Sequence, residues 1–174
     1  MDKNNYIWYV CYGSNLCFGR FMCYLTGEGN EKYNIDPEPK RRCLNPNPPI
    51  QSKVISIPFK LYFAKESSRW DQKGVCFLDE KEGSNTVGRA YLITEEQYEH
   101  VWLFEGKRDW YPKQIELCSI DGIRAVTFTA PNKIFPERFP CDRYYQVVFD
   151  GLLECGLSKD EAKEYLSARL PKEQ

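Results

Sequence analysis

The chain has 174 residues, and its 24 Lys+Arg against 25 Asp+Glu leave a formal net charge of −1. That balance argues against nucleic acid or an anionic membrane as the main partner. With 42% hydrophobic and 28% charged residues, the composition excludes a disordered or collagen-like chain, and the length predicts one domain, residues 1–174, around a single core that needs no metal or disulfide staple.

Met1 to Asn5 lacks a basic leader, and the apolar run Tyr6–Cys11 is too short for a signal peptide or a membrane span, so a cytoplasmic location is expected. Tyr6 to Tyr12 reads as a buried strand that stops at Gly13. Ser14 or Asn15 is placed to cap a helix from about Leu16 to Leu25. Residues Gly27–Ser52 change in character, with five prolines and the cluster Lys40-Arg41-Arg42. They predict a long surface loop that either rims a site or is a solvated insertion.

Strand-like segments follow at Val54–Phe63, Gly74–Leu78, Thr86–Ile93, Gln114–Ile120 and Ile123–Thr129. Asp121-Gly122 between the last two is a hairpin signal, because both residues tolerate positive φ. Thr94 and Gln97 form a capping box that opens a helix with Tyr98, Val101, Trp102 and Phe104 at helical spacing, ending near Glu105-Gly106. Asp142 is read as the cap of a helix carrying Tyr145, Val148, Leu152 and Leu153 and closed at Gly156. Ser158 and Glu161 form a second capping box, opening a last helix that ends before Pro171. Runs of strands with helices at the start, middle and end make this an α+β fold with a mainly antiparallel or mixed sheet.

Eight cysteines without a CxxC pair, and a single histidine, His100, favour free core thiols over disulfides or zinc. Two segments carry candidate chemistry. The strand–turn–helix sequence Tyr12-Gly13-Ser14-Asn15-Leu16 presents free N–H groups at a helix start, suited to a carboxylate, a phosphate or an oxyanion. Glu105 lies at the negative end of a helix dipole with aromatic neighbours, a setting for a group that takes up a proton. A rival pairing sets Cys11 or Cys17 with His100 as a cysteine hydrolase, Cys17 near a helix start where a thiolate is stabilised.

Taken in order, these segments resemble the gamma-glutamylcyclotransferase-like family. The resemblance runs from Tyr12–Leu16 through Trp70, Gly74-Val75-Cys76, Val87–Tyr91, Glu105-Gly106 and Tyr111 to Arg143-Tyr144, Gly151 and Gly156-Leu157. It implies a small, mixed, partly closed β-barrel with flanking helices. It also implies cyclisation of a γ-glutamyl amide to 5-oxoproline with release of an amine. Glu105 would be the catalytic acid/base, with Tyr12, Gly13, Ser14, Asn15, Leu16, Tyr111 and Tyr144 binding the substrate. The partner expected is a small γ-glutamyl molecule, and no metal or other cofactor is required. A non-catalytic binding module on the same fold is the alternative.

Overall fold

The structure, a computed structural model, describes residues 5–172, so the reading of the first four residues as lacking a leader lies outside it. Strand β1 (Tyr6–Cys11) is apolar and buried from Ile7 onward, which fits a central strand covered on both faces. It pairs antiparallel with β5 (Thr86–Thr94) and, over a short stretch, parallel with β7 (Ile123–Thr129). The strands β2 (Gln51–Ile57) and β6 (Lys113–Ile120) close the two edges, giving the order β2-β5-β1-β7-β6. Both edge strands alternate exposed and half-buried residues, as strands with one wet face do.

The expected strand from Val54 to Phe63 is two strands. Pro58 and Phe59 break it, because proline has no N–H to continue a ladder. The second piece, β3 (Lys60–Ser67), pairs with β4 (Lys73–Asp79) as a separate two-stranded sheet. The described strands therefore form two sheets rather than the partly closed barrel expected. Two buried threonines bridge the gap where a continuous ladder would run. Thr86 Oγ1 accepts from Leu61 N at 3.1 Å and donates to Phe59 O at 2.7 Å. Thr129 Oγ1 accepts from Leu78 N at 3.0 Å and donates to Leu78 O at 3.2 Å. Side-chain oxygens satisfy the backbone there without strand-to-strand pairing.

Helix α1 (Phe18–Thr26) begins later than expected and neither Ser14 nor Asn15 caps it. Ser14–Leu16 instead form a 3-10 turn, and Phe18 N, at the start of α1, donates to Glu154 Oε2 at 2.9 Å. A carboxylate from a distant helix thus replaces the local cap, where the helix dipole favours negative charge. Helix α2 (Glu95–Phe104) has the complete Thr94/Gln97 capping box, and α4 (Lys159–Ser167) has that of Ser158/Glu161. Between them, α3 (Asp142–Glu154) is capped by Cys141, whose sulfur accepts from Tyr144 N at 3.4 Å, so Asp142 is the first helical residue and not the cap. The hairpin residues Asp121 and Gly122 have φ of 53° and 76°, as a turn with two left-handed residues requires. Among the described residues, no helix is long and apolar enough to cross a membrane.

The Gly27–Ser52 segment is partly buried, and its Arg41 lines a cavity at the end of β1. Two short 3-10 turns stiffen it, Glu31–Tyr33 and Pro39–Arg41, and Tyr33 and Cys43 are almost fully buried. Gln97 Nε2 holds its far end through Asn45 O and Asn47 O, both at 2.9 Å.

Candidate functional site

Where β1 ends, the chain turns at Tyr12–Asn15 beneath the end of α2, and a cavity of about 250 Å³ opens between them. It lies just below the roughly 300–1,000 Å³ typical of ligand sites, a size for a small ligand. Tyr12, Gly13, Ser14, Asn15, Glu105, Tyr111 and Tyr144 all line it. Leu16, expected among the binding residues, does not: it is fully buried, and its Cβ lies 2.5 Å from where a Cβ on Gly151 would sit. It anchors the turn to α3 rather than facing a ligand.

The two segments singled out in the sequence meet at one hydrogen bond. Asn15 Nδ2 donates to Glu105 Oε1 at 2.8 Å and to the Tyr9 hydroxyl at 3.1 Å. Asn15 is 3% exposed, and its Oδ1 has no donor among the described residues. Glu105 caps the C-terminus of α2, its own N–H bound to Val101 O at 2.9 Å. The carboxylate thus stands half-buried on the cavity wall with one oxygen held by the turn.

The turn itself is tightly held. Leu16 N donates to Gly13 O at 2.9 Å and Cys17 N to Ser14 O at 3.2 Å. Leu16 N–H is therefore committed, while those of Ser14 and Asn15 have no backbone acceptor among the described residues. On the outer side, Tyr91 OH donates to Asn15 O at 3.0 Å, and Arg89 Nη1 reaches Leu16 O at 2.8 Å and Glu154 Oε2 at 2.6 Å. Arg89→Met should lower the unfolding free energy by ~1.5–3 kcal/mol, the usual loss for a charged hydrogen bond of this kind. Denaturant titration checks this, and an unmoved midpoint would show that the turn stands without Arg89.

Tyr111 and Tyr144 both lie on the wall, but their hydroxyls serve the backbone of Cys76. Tyr111 OH donates to Cys76 O at 3.1 Å, and Tyr144 OH accepts from Cys76 N at 3.0 Å. The Tyr144 hydroxyl keeps its own proton for another acceptor, whereas those of Tyr111 and of Tyr12, bound to Phe128 O at 2.8 Å, are committed. A Cβ at Gly13 would lie 2.9 Å from the Tyr144 hydroxyl oxygen and 3.1 Å from Cys76 Cβ. This crowding explains glycine at the tip of the turn. Tyr144→Phe should cost ~1–3 kcal/mol by leaving the buried Cys76 N–H unpaired, seen as a lower chemical-denaturation midpoint at constant slope.

Of the other wall residues, Tyr24 and Arg69 carried no sequence signal for the site, whereas Arg41 belongs to the basic cluster of the Gly27–Ser52 loop. Tyr24 reaches the cavity from α1, and Arg41 and Arg69 come from the short 3-10 turns Pro39–Arg41 and Ser68–Trp70. Burial, and then the nearby Glu105 carboxylate, raise the Tyr24 phenol to about 12 against the lowering influence of Arg20 and Arg69. Arg20 is 1% exposed and makes no ion pair among the described residues. Its Nη2 donates to Tyr24 OH at 2.8 Å, and the guanidinium lies 4.3 Å from the Tyr24 ring centre. Although burial works against its charge, Tyr24 and Glu105 strengthen its hold on the proton. The Arg20/Tyr24 spacing of four is the one local signal that would have found this pair.

The cysteine–histidine pairing does not form. Cys11 donates to Arg89 O and Cys17 to the Tyr33 hydroxyl, and burial raises both thiols rather than stabilising a thiolate. His100 instead faces Arg41 O at 2.8 Å and clusters with Cys43 and Glu96. The eight cysteines form no disulfide with one another; five are buried in the core as expected, whereas Cys23 and Cys155 are half-buried and Cys118 is exposed.

Comparison with solved structures identifies the architecture. A gamma-glutamyl cyclotransferase superposes with a TM-score of 0.69 at 17% identity, covering 97% of this chain and 90% of that one. This chain has the gamma-glutamyl cyclotransferase-like fold. An uncharacterized protein from Homo sapiens shares the fold at a TM-score of 0.65 and 17% identity, over 98% of this chain and 91% of that one. YkqA from Bacillus subtilis matches at 0.62 and 19%, over 97% of this chain and 56% of that one. No family model matches the sequence. Among curated proteins it is similar to histone deacetylase 5 of Arabidopsis thaliana, 27% identical over 212 residues, covering 95% of this chain. The chain spans only 31% of that protein's length.

Proposed function

We propose that this chain is an enzyme of the gamma-glutamyl cyclotransferase type, acting on a small γ-glutamyl amide without a cofactor. The observation that carries this reading is the Asn15–Glu105 hydrogen bond at 2.8 Å, which joins the turn and the carboxylate across one cavity. In a γ-glutamyl amide the substrate's own α-amine attacks its γ-carbonyl carbon. A new C–N bond closes a five-membered ring, the old amide C–N bond breaks, and 5-oxoproline and an amine leave.

The α-amine is nucleophilic only after its ammonium loses a proton. Glu105 takes that proton and returns it to the departing nitrogen, so the step is balanced without a metal or a covalent enzyme intermediate. Asn15 fixes Glu105 Oε1, leaving the other carboxylate lone pairs for the ammonium. The N–H groups of Ser14 and Asn15 are the donors left to steady the carbonyl oxygen as it becomes negative. Holding an intramolecular nucleophile in attack geometry supplies roughly 7–11 kcal/mol of barrier lowering.

The test is 5-oxoproline release, followed by mass spectrometry, from γ-glutamyl amino acids, γ-glutamylamines and glutathione. Product from at least one of them is expected. Folded protein that binds members of the panel yet turns over none would instead indicate a binding module on this fold.

A further inference from the structure

Behind the cavity wall, three side chains of metal-ligand type converge from two elements. Cys43 comes from the Gly27–Ser52 segment, and Glu96 and His100 lie one turn apart on the outer side of α2. One ligand atom from each lies within 4.8 Å of the other two. We propose that Cys43, Glu96 and His100 form a binding site for a thiophilic divalent cation of the zinc class, which fastens the Gly27–Ser52 segment to α2.

The donor set selects the ion. A thiolate, an imidazole and one carboxylate suit zinc, whereas magnesium and calcium call for oxygen ligands throughout. Zinc bonds of ~2.0–2.3 Å place tetrahedral ligands roughly 3.3–3.8 Å apart. The three groups therefore need to draw in by up to about an ångström, a movement within reach of side-chain rotation. Water takes the fourth position.

The surroundings already orient each ligand. His100 Nε2 lies 2.8 Å from Arg41 O. With the ring donating there, Nδ1 keeps its lone pair, as in metal-bound histidines that donate their other nitrogen to a carbonyl. The Cys43 backbone is fixed by its N–H bond to Leu25 O at 3.0 Å, and its side chain is 1% exposed with only a long 3.8 Å contact to Tyr24 O. Glu96 Oε1 accepts from Leu44 N at 3.2 Å. Thiolate and carboxylate together neutralise the cation, and the Cys43 proton passes to the buffer on binding. The site is independent of the reaction proposed above, but it adjoins the cavity. Arg41, two residues before Cys43, donates to Phe104 O at 3.2 Å and lies 4.4 Å from the Phe104 ring centre on the cavity wall.

The experiment titrates metal-free, reduced protein with cobalt(II) and then displaces it with zinc(II), both as simple salts. One equivalent should bind with a thiolate-to-cobalt charge-transfer band, and zinc should abolish the band. Cys43→Ser should remove the band and His100→Ala should weaken binding at least tenfold, while Cys118→Ser, an exposed cysteine elsewhere, should change neither. Absence of the band in the parent, or its survival in Cys43→Ser, overturns the proposal. If circular dichroism shows Cys43→Ser unfolded, His100→Ala and Glu96→Gln decide, and unchanged affinity in both overturns it equally.

Discussion

Glu105→Gln should reduce 5-oxoproline release by about 10²–10⁴-fold, the range that a positioned general base supplies, while leaving the fold intact. Glutamine is nearly isosteric, and its amide oxygen can still accept the hydrogen bond from Asn15 Nδ2 that holds Glu105 at 2.8 Å. What it cannot do is take the proton from the substrate ammonium. The loss should fall on kcat, with the denaturation midpoint unmoved within about 0.5 kcal/mol of the parent, as for substitutions that break no buried contact. Substrate turnover by a folded Glu105→Gln protein at the parental rate would remove this residue from the chemistry.

Gly151→Ala should destabilise the site from outside the cavity. In the middle of α3, alanine gains about 1 kcal/mol in helix propensity over glycine. The added Cβ, however, would lie 2.5 Å from both Cys17 N and Leu16 Cβ, and backbone cannot swing aside as a side-chain tip can. Overpacking of this kind costs typically ~1–3 kcal/mol, so the clash outweighs the propensity gain. The turn is also pinned by Arg89 and Tyr91 through Leu16 O and Asn15 O, so any shift passes into Asn15 and its bond to Glu105. We expect a lower melting temperature together with reduced activity. Gly83→Ala, with open space around the new Cβ, should change neither. An equally stable and active Gly151→Ala would mean that α3 can move away without disturbing the turn.

How much of this was readable beforehand follows the range of the interactions involved. The two capping boxes and the Asp121-Gly122 hairpin formed where the residues indicated, because each depends on groups no more than three residues apart. The central strand followed from its unbroken apolar run. The start of α1 was misplaced because the helix takes its anion from Glu154 on α3; of the two expected caps, neither Ser14 nor Asn15 serves, and the Asn15 amide turns toward Glu105 instead.

By itself, then, the sequence determined the α+β class, most element positions, and the two segments that meet at the cavity. Tertiary structure decided that those segments touch, across 90 residues of chain, that Leu16 faces the core, and that Tyr24, Arg41 and Arg69 complete the wall. It also left the strands as two sheets bridged by Thr86 and Thr129, and brought Cys43 to Glu96 and His100. Capping, turn chemistry and hydrophobic periodicity are written within a few neighbouring residues. Which distant side chains meet is settled only when burial of the whole core and satisfaction of its polar groups are met at once.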